Sequence, residues 1–281
     1  MTETPDLAAW IGREEEAHDV VTAESVARMA ATLDWHESPG LGDELPACWH
    51  WMYFVDVVPT GELAEEGHVA RGDFLPPVPL PRRMWAGGRL SFRQPIRVGE
   101  AIFRRSEIAD IKRKRGRSGD LAFVTVRHEI SGPDGVAVEE EHDIVYREAP
   151  SGDAPRQTPP SAPDDARWRR TVSPGPVLLF RYSALTFNAH RIHFDLDYAT
   201  RVDGYPGLVV HGPLIATLLL DLVRREAPDR RLAGFDYRGV SPLFAGADFT
   251  VNGRPDGDGV ELWAAGPGDA LAMTGRATLH G

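Results

Sequence analysis

The segment that follows Gly212 is apolar on almost every side of the helix it would form. Gly212 and Pro213 suit the start of that helix, because proline is tolerated at the first helical position. A helix this apolar has to be covered by other structure, and the run is shorter than the roughly 18 apolar residues that span a membrane. We therefore expect an α+β fold in which a curved antiparallel sheet wraps a central helix. The large aliphatic side chains of the segment are Leu214, Ile215, Leu218, Leu219, Leu220, Leu222 and Val223.

Composition narrows the class of protein. The 281 residues allow one large domain or two small ones. A net charge of −11 does not suit a protein that coats nucleic acid or an anionic membrane. Residues 1–6 lack the basic start and apolar core of a signal peptide. One cysteine, Cys48, excludes an intramolecular disulfide and a cysteine-based metal cluster. The sequence predicts a cytoplasmic protein with no nucleic-acid partner and no membrane span.

The two halves of the chain share an order of parts, which favours two copies of one fold. Each half has helical or buried segments, then the spacing Pro-x-x-x-Gly, then two strands. In the first half these are residues 22–35 with Thr22 as helix cap, the Trp-rich stretch 49–55, Pro95–Gly99, and strands 121–130 and 136–146. In the second half they are residues 194–203 and 214–225, Pro242–Gly246, and strands 259–265 and 270–279.

A proline-rich stretch separates the halves. We interpret it as a surface linker without helix or sheet, because proline removes the backbone donor that both need. The predicted organisation is an N-terminal domain over 1–150, a linker over 151–174 and a C-terminal domain over 175–281.

Residues 180–214 carry the densest set of chemically active side chains, and they resemble a known motif. The motif of MaoC-type enoyl-thioester hydratases, which have the hotdog fold, runs Asp-x-Asn-Pro-x-His-x-Asp and later Val-His-Gly at the entry to a central helix. Four further stretches, 10–13, 49–54, 74–88 and 183–193, resemble one branch of that superfamily. It contains the type 2 3-hydroxyacyl-thioester dehydratases and the mesaconyl-C4-CoA and itaconyl-CoA hydratases. The positions that match the motif are His193, Asp195, Ala199, Val210, His211 and Gly212.

The resemblance implies two tandem hotdog folds, of which the first is catalytically degenerate and the second is catalytic. It also implies addition or removal of water across the C2=C3 bond of an enoyl-CoA, with no cofactor and no metal. The sequence departs from the motif at two places. The motif aspartate falls on Asn188, and Asn-Pro falls on His190 and Arg191. Asn188 cannot exchange a proton, although its amide can hold a water molecule.

A mechanism that respects these departures assigns a role to each position. The Gly212 N–H at the helix start would bind the thioester oxygen. His193 would take a proton from water, and Asn188 would orient that water. His190 is the candidate second acid, and a catalytic imidazole predicts a change of activity near neutral pH. His211, Asp195, Tyr182 and Arg191 are the predicted substrate-binding residues.

Several alternatives stay open on the sequence alone. Asn188 and Asp195 could instead cap local turns, and the His190-x-x-His193-x-Asp195 spacing gives a weak metal-site pattern. A hotdog thioesterase or a non-catalytic partner subunit would share the fold, and a homodimer is possible. The acyl-CoA or acyl-carrier thioester substrate is a 3-hydroxyacyl chain or a small dicarboxylyl-CoA. A free substrate carboxylate would need an arginine, and the candidates are Arg82, Arg83, Arg181 and Arg191.

Overall fold

The fold is organised by one ten-stranded sheet in which every pairing is antiparallel. It is seen in a computed structural model that describes residues 6–116, 119–148 and 158–280. The strands of the first half are β1 Glu14–Val20, β2 Arg82–Phe92, β3 Ala101–Gly116, β4 Gly119–Gly132 and β5 Gly135–Arg147. Those of the second half are β6 Trp168–Val172, β7 Leu232–Gly239, β8 Phe249–Asp256, β9 Gly259–Gly266 and β10 Ala270–Leu279.

Three α-helices accompany the sheet in the described part of the chain. They are α1 Ala23–Thr32, α2 Pro176–Leu185 and α3 Gly212–Glu226. The predicted cap at Thr22 is confirmed, because its side chain accepts a hydrogen bond from the backbone of Ser25. No helix in the described ranges is long and apolar enough to cross a membrane.

The strand order confirms that the fold is duplicated. The sheet runs β1-β3-β4-β5-β2-β7-β10-β9-β8-β6. Counted inward from either edge, both halves place their first, third, fourth, fifth and second strands in the same sequence. The two halves meet where β2 pairs with β7, from Gly87 opposite Arg238 to Ser91 opposite Gly234. We call this pairing the central seam, and it relates the halves by a local two-fold axis.

Close backbone contact at the central seam depends on glycine. A Cβ atom on Gly87 would collide with the carbonyl oxygen of Tyr237 across the seam. The strand also bulges between Trp85 and Gly87 where it pairs with β5. Because glycine lets two backbones approach in this way, the seam brings the first half directly against the second.

The apolar segment that opened the sequence analysis forms the helix it predicts. All ten residues from Leu214 to Val223 are buried. Helix α3 packs against β6, β8, β9 and β10, so the second-half sheet covers most of its length. The position of its N-terminus is therefore fixed by the core of the second half.

Among its described residues the first half has no counterpart of α3, so the expectation of a central helix holds for the second copy only. Between α1 and β2 the chain forms only short 3-10 turns, at Trp49–Met52 and Thr60–Glu62. Proline explains the difference, since Pro76, Pro77, Pro79 and Pro81 interrupt any helix there. This segment covers the sheet instead. Val78 and its neighbours Phe74, Leu75 and Leu80 pack with Ile108, Val124 and Tyr146.

The prediction that residues 151–174 lack sheet structure is wrong at one place. Residues 168–172 form the edge strand β6, which pairs with β8. This stretch lies between Pro163 and Pro174 and contains no proline, and Trp168 packs over Gly253. Residues 151–157 lie outside the described residues.

Asp221 provides a test of how α3 is held. Its side chain is 1% exposed and forms ion pairs with Arg170 of β6 at 2.6 Å and with Arg224 and Arg225 of its own helix. We expect Asp221→Asn to lower the free energy of unfolding by about 2 to 3 kcal/mol. The loss of a buried partner is costly, but the arginines are partly exposed and screened.

The measurement is chemical denaturation of the variant and of a matched control. Glu139→Gln removes an exposed carboxylate that pairs with Arg93, and it should cost no more than about 0.5 kcal/mol. Equal losses in the two variants would contradict a structural role for the buried aspartate.

Candidate active site

His193 is held in a buried position by the backbone of its own segment. It ends a 3-10 turn at Arg191–His193 and is 7% exposed. Its Nδ1 atom lies 2.8 Å from the carbonyl oxygen of Val209. A carbonyl oxygen only accepts, so Nδ1 carries the proton and Nε2 keeps a free lone pair. The arrangement suits an imidazole that acts as a base through Nε2.

His211 lies flat against His193. The two rings stack with centroids 3.6 Å apart and an angle of 20° between them. The Nε2 atom of His211 lies 2.8 Å from the hydroxyl oxygen of Ser183. His211 is fully buried and caps the N-terminus of α3. The predicted Val-His-Gly entry to the helix therefore brings His193 next to the first turn of α3.

Gly212 is the first residue of α3. Its N–H has no hydrogen-bond acceptor in the described part of the chain, as is usual at a helix start. A Cβ atom at Gly212 would lie 3.8 Å from the Cβ atom of Trp85 in β2. The free N–H and the positive end of the helix dipole thus lie beside the face of β2 that carries Trp85.

The histidines at this site are neutral at neutral pH. Burial lowers the pKa of His193 to about 4, against a raising effect of its bond to Val209. Burial, followed by the charges of His193 and Arg83, lowers the pKa of His190 to about 3. Burial also lowers the pKa of His211 well below its usual value. A charged acid at His190 is therefore disfavoured, and the expected change of activity near neutral pH is not supported by this environment.

Asn188 caps a local turn. Its Oδ1 atom accepts a hydrogen bond from the backbone N–H of His190 at 3.0 Å. The His190 ring lies edge-on to His193, with centroids 5.5 Å apart. The turn-cap alternative for Asn188 is thus present in the structure. Its amide NH2 group is left for another partner such as water.

Asp195 and Arg191, which the sequence analysis predicted to bind substrate, form an ion pair with each other. The Arg191 guanidinium donates to Asp195 at 2.7 Å and lies over the ring of Tyr198. Asp195 also accepts from the backbone N–H of Tyr198 at 3.0 Å, which begins a π-helical turn over Tyr198–Val202. Residues 194–203, predicted as a helix, contain this turn. Both charged groups therefore serve local structure.

Tyr182, also predicted to bind substrate, lies behind the site. It is 1% exposed and its ring lies 5.0 Å from that of His211. Burial raises the pKa of its hydroxyl group, and nearby Thr217 of α3 offsets part of that rise. Tyr182 therefore supports His211 from the core and does not line the space in front of His193.

The first half supplies site residues that the sequence analysis missed. Gly67 packs so closely on Ala189 that a Cβ atom would collide with the Ala189 carbonyl oxygen. The ring of His68 lies 4.2 Å from that of His190. The backbone N–H of Arg191 donates to the carbonyl oxygen of Glu66 at 2.9 Å. No local pattern near residue 68 signals this contact, because its partner lies in the other half of the chain.

A second buried polar group lies on the first-half sheet, near Gly212. The Trp85 ring lies 4.0 Å from that of His142, and its indole N–H donates to the Tyr237 hydroxyl at 2.6 Å. Glu140 bonds His50 at 3.1 Å. Burial alone would raise the pKa of Glu140, but the His50 bond and nearby imidazoles lower it to about 2. The first half is thus polar where it faces the start of α3.

A surface cavity lies at the other end of α3. Asp34 and His36 line this cavity of 260 Å³ with Arg224 and Arg225, which places it at the C-terminal end of α3, away from Gly212. In the described ranges, no three histidine, cysteine or acidic side chains are arranged to hold a metal ion.

The fold is shared with known structures at low sequence identity. A MaoC-like dehydratase superposes with a TM-score of 0.71 at 15% identity, over 97% of this chain and 99% of the other. HtdX from Mycobacterium tuberculosis gives 0.70 at 17% identity, over 94% and 98%. Another Mycobacterium tuberculosis protein, described as having a double hotdog fold, gives 0.61 at 13% identity, over 96% of each chain. The predicted double hotdog fold is confirmed.

Sequence comparisons give the family. The mesaconyl-C4-CoA hydratase of Chloroflexus aurantiacus is 47% identical over 279 residues, which are 98% of this chain and 99% of the relative. The mitochondrial hydroxyacyl-thioester dehydratase type 2 of Schizosaccharomyces pombe is 27% identical over 221 residues, or 70% and 73% of the two chains. The family model for hydroxyacyl-thioester dehydratase type 2 matches residues 48–245. This chain therefore belongs to the hydroxyacyl-thioester dehydratase type 2 family, within the MaoC-like hotdog hydratases.

Proposed function

We propose that this chain adds water across the carbon–carbon double bond of mesaconyl-C4-CoA and catalyses the reverse dehydration at the same site. The proposal rests on one observation, namely that the imidazole of His193, held in a fixed orientation, lies close to the unpaired N–H of Gly212 at the start of α3. His193 keeps Nε2 free and stacks on His211, the residue directly before Gly212. Hydration of an enoyl thioester needs both, a base for water and a donor for the thioester oxygen.

The choice of substrate is supported by the relative from Chloroflexus aurantiacus. Identity of 47% extends over nearly the whole of both chains, so the elements that build the site fall within the shared region. Mesaconate is a methyl-substituted butenedioate. A thioester at its fourth carbon leaves the methyl group and a free carboxylate on the carbon that is β to the thioester.

Gly212 would stabilise the charge that develops during addition. As hydroxide attacks the β-carbon, the electrons of the double bond move toward the thioester oxygen. A hydrogen bond from the Gly212 N–H at the helix start stabilises that oxygen, which is worth about 3 kcal/mol for one well-placed donor.

His193 would move the proton. Its Nε2 takes a proton from water while the oxygen bonds to the β-carbon. Because burial penalises the imidazolium form, that proton is passed to the α-carbon rather than stored on the ring. The sum is one water added, with hydroxyl on the β-carbon and hydrogen on the α-carbon. The Asn188 amide would hold the water, and His190 would act as a neutral hydrogen-bonding partner.

The arrangement favours hydration over thioester hydrolysis. A hotdog thioesterase needs a carboxylate that attacks or activates water, and the position that would supply it is Asn188. Asp195 is bonded by Arg191 and by the N–H of Tyr198. Neither residue offers a free carboxylate to a water molecule at His193. The cytoplasmic location that the sequence predicts stays a prediction, and a homodimer stays a possibility.

Replacing the base gives the first test. We expect His193→Ala to lower kcat for hydration of mesaconyl-C4-CoA by about 10³-fold, within the usual range for loss of a general base. The rate is followed by loss of the enoyl-thioester absorbance. His36→Ala, an exposed histidine at the far end of α3, is the matched control and should retain full activity. A folded His193→Ala protein with near-normal kcat would overturn the assignment.

The pH dependence gives the second test. The neutral form of His193 is the active base, and its pKa is about 4. Activity is therefore lost only as pH falls toward that value. We expect kcat/KM to be flat from roughly pH 6 to pH 8. Samples returned to pH 7 and assayed again control for acid unfolding. An inflection near pH 6.5 in a stable protein would show that the base is a solvated imidazole, contrary to this account.

The contact between the halves gives a third test. Gly67 has φ of +95° and no room for a side chain against Ala189. We expect Gly67→Ala to displace the segment that carries His68 and to lower kcat/KM at least about tenfold, since small misplacements at a site are costly. The matched control is Gly61→Ala, where a Cβ atom meets nothing within 4 Å. Equal activity in both variants would remove the first half from the site.

A further inference from the structure

Four arginines near the site are held by contacts within the described part of the protein. Arg82 pairs with Asp203 at 3.4 Å, and Arg191 pairs with Asp195. Arg71 donates to three backbone carbonyl oxygens, of Val78, Leu80 and Pro81. Arg181 is exposed and donates to the Ala31 carbonyl oxygen.

Arg83 is different. It forms no salt bridge with a carboxylate anywhere in the described ranges. Glu66 acts on it only at longer range and lies 3.8 Å from Arg71 instead. Burial lowers the pKa of Arg83, but arginine stays charged in proteins. A largely desolvated cation with only the neutral Tyr146 hydroxyl beside it is costly to folding, so its retention favours an anion that the protein meets in use.

Two polar groups near Arg83 meet no hydrogen-bond partner of regular geometry in the described ranges. On the adjacent strand Tyr146 is directly opposite Arg83. The Tyr146 hydroxyl is buried close to the guanidinium, yet it makes no hydrogen bond of regular geometry. Nδ1 of His68 is also buried without a hydrogen bond. The charge of Arg83 contributes to lowering the pKa of His68, His190 and His142. The arginine therefore lies between the site histidines and the polar first-half sheet.

Arg83 lies on the same face of β2 as the residue that approaches Gly212. Arg83 and Trp85 are two residues apart on β2, so they share one face and lie about 7 Å apart along the strand. Trp85 is the residue whose Cβ atom approaches Gly212. A thioester oxygen at the Gly212 N–H and a carboxylate at Arg83 would thus both lie along one face of β2.

We propose that Arg83, assisted by the Tyr146 hydroxyl, binds the free carboxylate on the β-carbon of the substrate and thereby selects dicarboxylyl thioesters over simple enoyl thioesters. This inference rests on the proposed function. A CoA phosphate is a poorer occupant, because Arg83 is recessed on the inner sheet beside Tyr146, which is fully buried. A planar guanidinium suits a small carboxylate, which it binds through two hydrogen bonds.

The test compares two thioesters that differ in the carboxylate. Wild type, Arg83→Gln and Arg83→Met are assayed with mesaconyl-C4-CoA and with crotonyl-CoA, which lacks the carboxylate. We expect kcat/KM for mesaconyl-C4-CoA to fall about 100-fold in both variants, as for loss of a charge-assisted pair. Activity with crotonyl-CoA should change no more than a few-fold. Arg93→Gln, which removes an exposed arginine on the adjoining loop, should leave both rates unchanged.

Thermal unfolding without substrate separates binding from structure. Arg83→Met removes a largely desolvated charge that has no carboxylate partner in the described ranges, so its Tm should equal or exceed that of wild type. A fall in Tm, or an equal loss of activity with both thioesters, would make Arg83 structural and overturn the inference.

The failures of the two proposals are distinguishable. If wild type hydrates mesaconyl-C4-CoA and Arg83→Met does so equally well, only the carboxylate subsite is wrong. If wild type hydrates neither thioester, the proposed function fails. The carboxylate subsite is then tested by the rise in Tm that each thioester causes on binding. If mesaconyl-C4-CoA raises the Tm of wild type more than crotonyl-CoA does, and this difference disappears in Arg83→Met, the subsite is supported. If the two thioesters raise the Tm of wild type equally, the subsite is overturned.

Discussion

The site depends on the antiparallel contact of β2 with β7 at the central seam. Glycine at Gly87 lets these backbones meet without collision, and the pairing joins two five-stranded halves of the same order. Helix α3 is held by the second half, and its N-terminus faces Trp85 of the first half. Without this contact, Gly212 and His193 would have no wall opposite them. In the proposed site the two copies therefore have different tasks, since the second would supply the base and the helix end and the first would close the site.

Burial sets the chemistry of the site. His193 and His190 lose the ability to hold a proton at neutral pH, which leaves a neutral base with its lone pair fixed in direction. The same environment contains Arg83, which has no carboxylate partner in the described ranges. In the proposed complex a substrate anion would neutralise that charge, so a feature that is unfavourable in the free protein would become a favourable contact. Binding energy would then be directed to one end of the substrate.

Much of the fold could be predicted from the chain because its signals are local. The apolar run after Gly212 requires a covered helix, and the strand over 270–279 is found with the predicted bounds. The motif placed His193 and the α3 entry together. Contacts between the halves could not be predicted, because the local sequence around His68 and Arg83 does not indicate which distant residues they approach. The roles of Asp195 and Tyr182 also depend on orientation, as one side chain pairs with Arg191 and the other lies behind His211.

A crystal structure of His193→Ala with bound mesaconyl-C4-CoA would test the central claim that both halves build one hydratase site. We expect the thioester oxygen to lie within hydrogen-bonding distance of the Gly212 N–H. We expect the β-carbon to lie beside position 193 and the carboxylate to lie against β2 of the first half. A thioester oxygen bound away from the start of α3, with an acyl group that contacts only the second half, would contradict it.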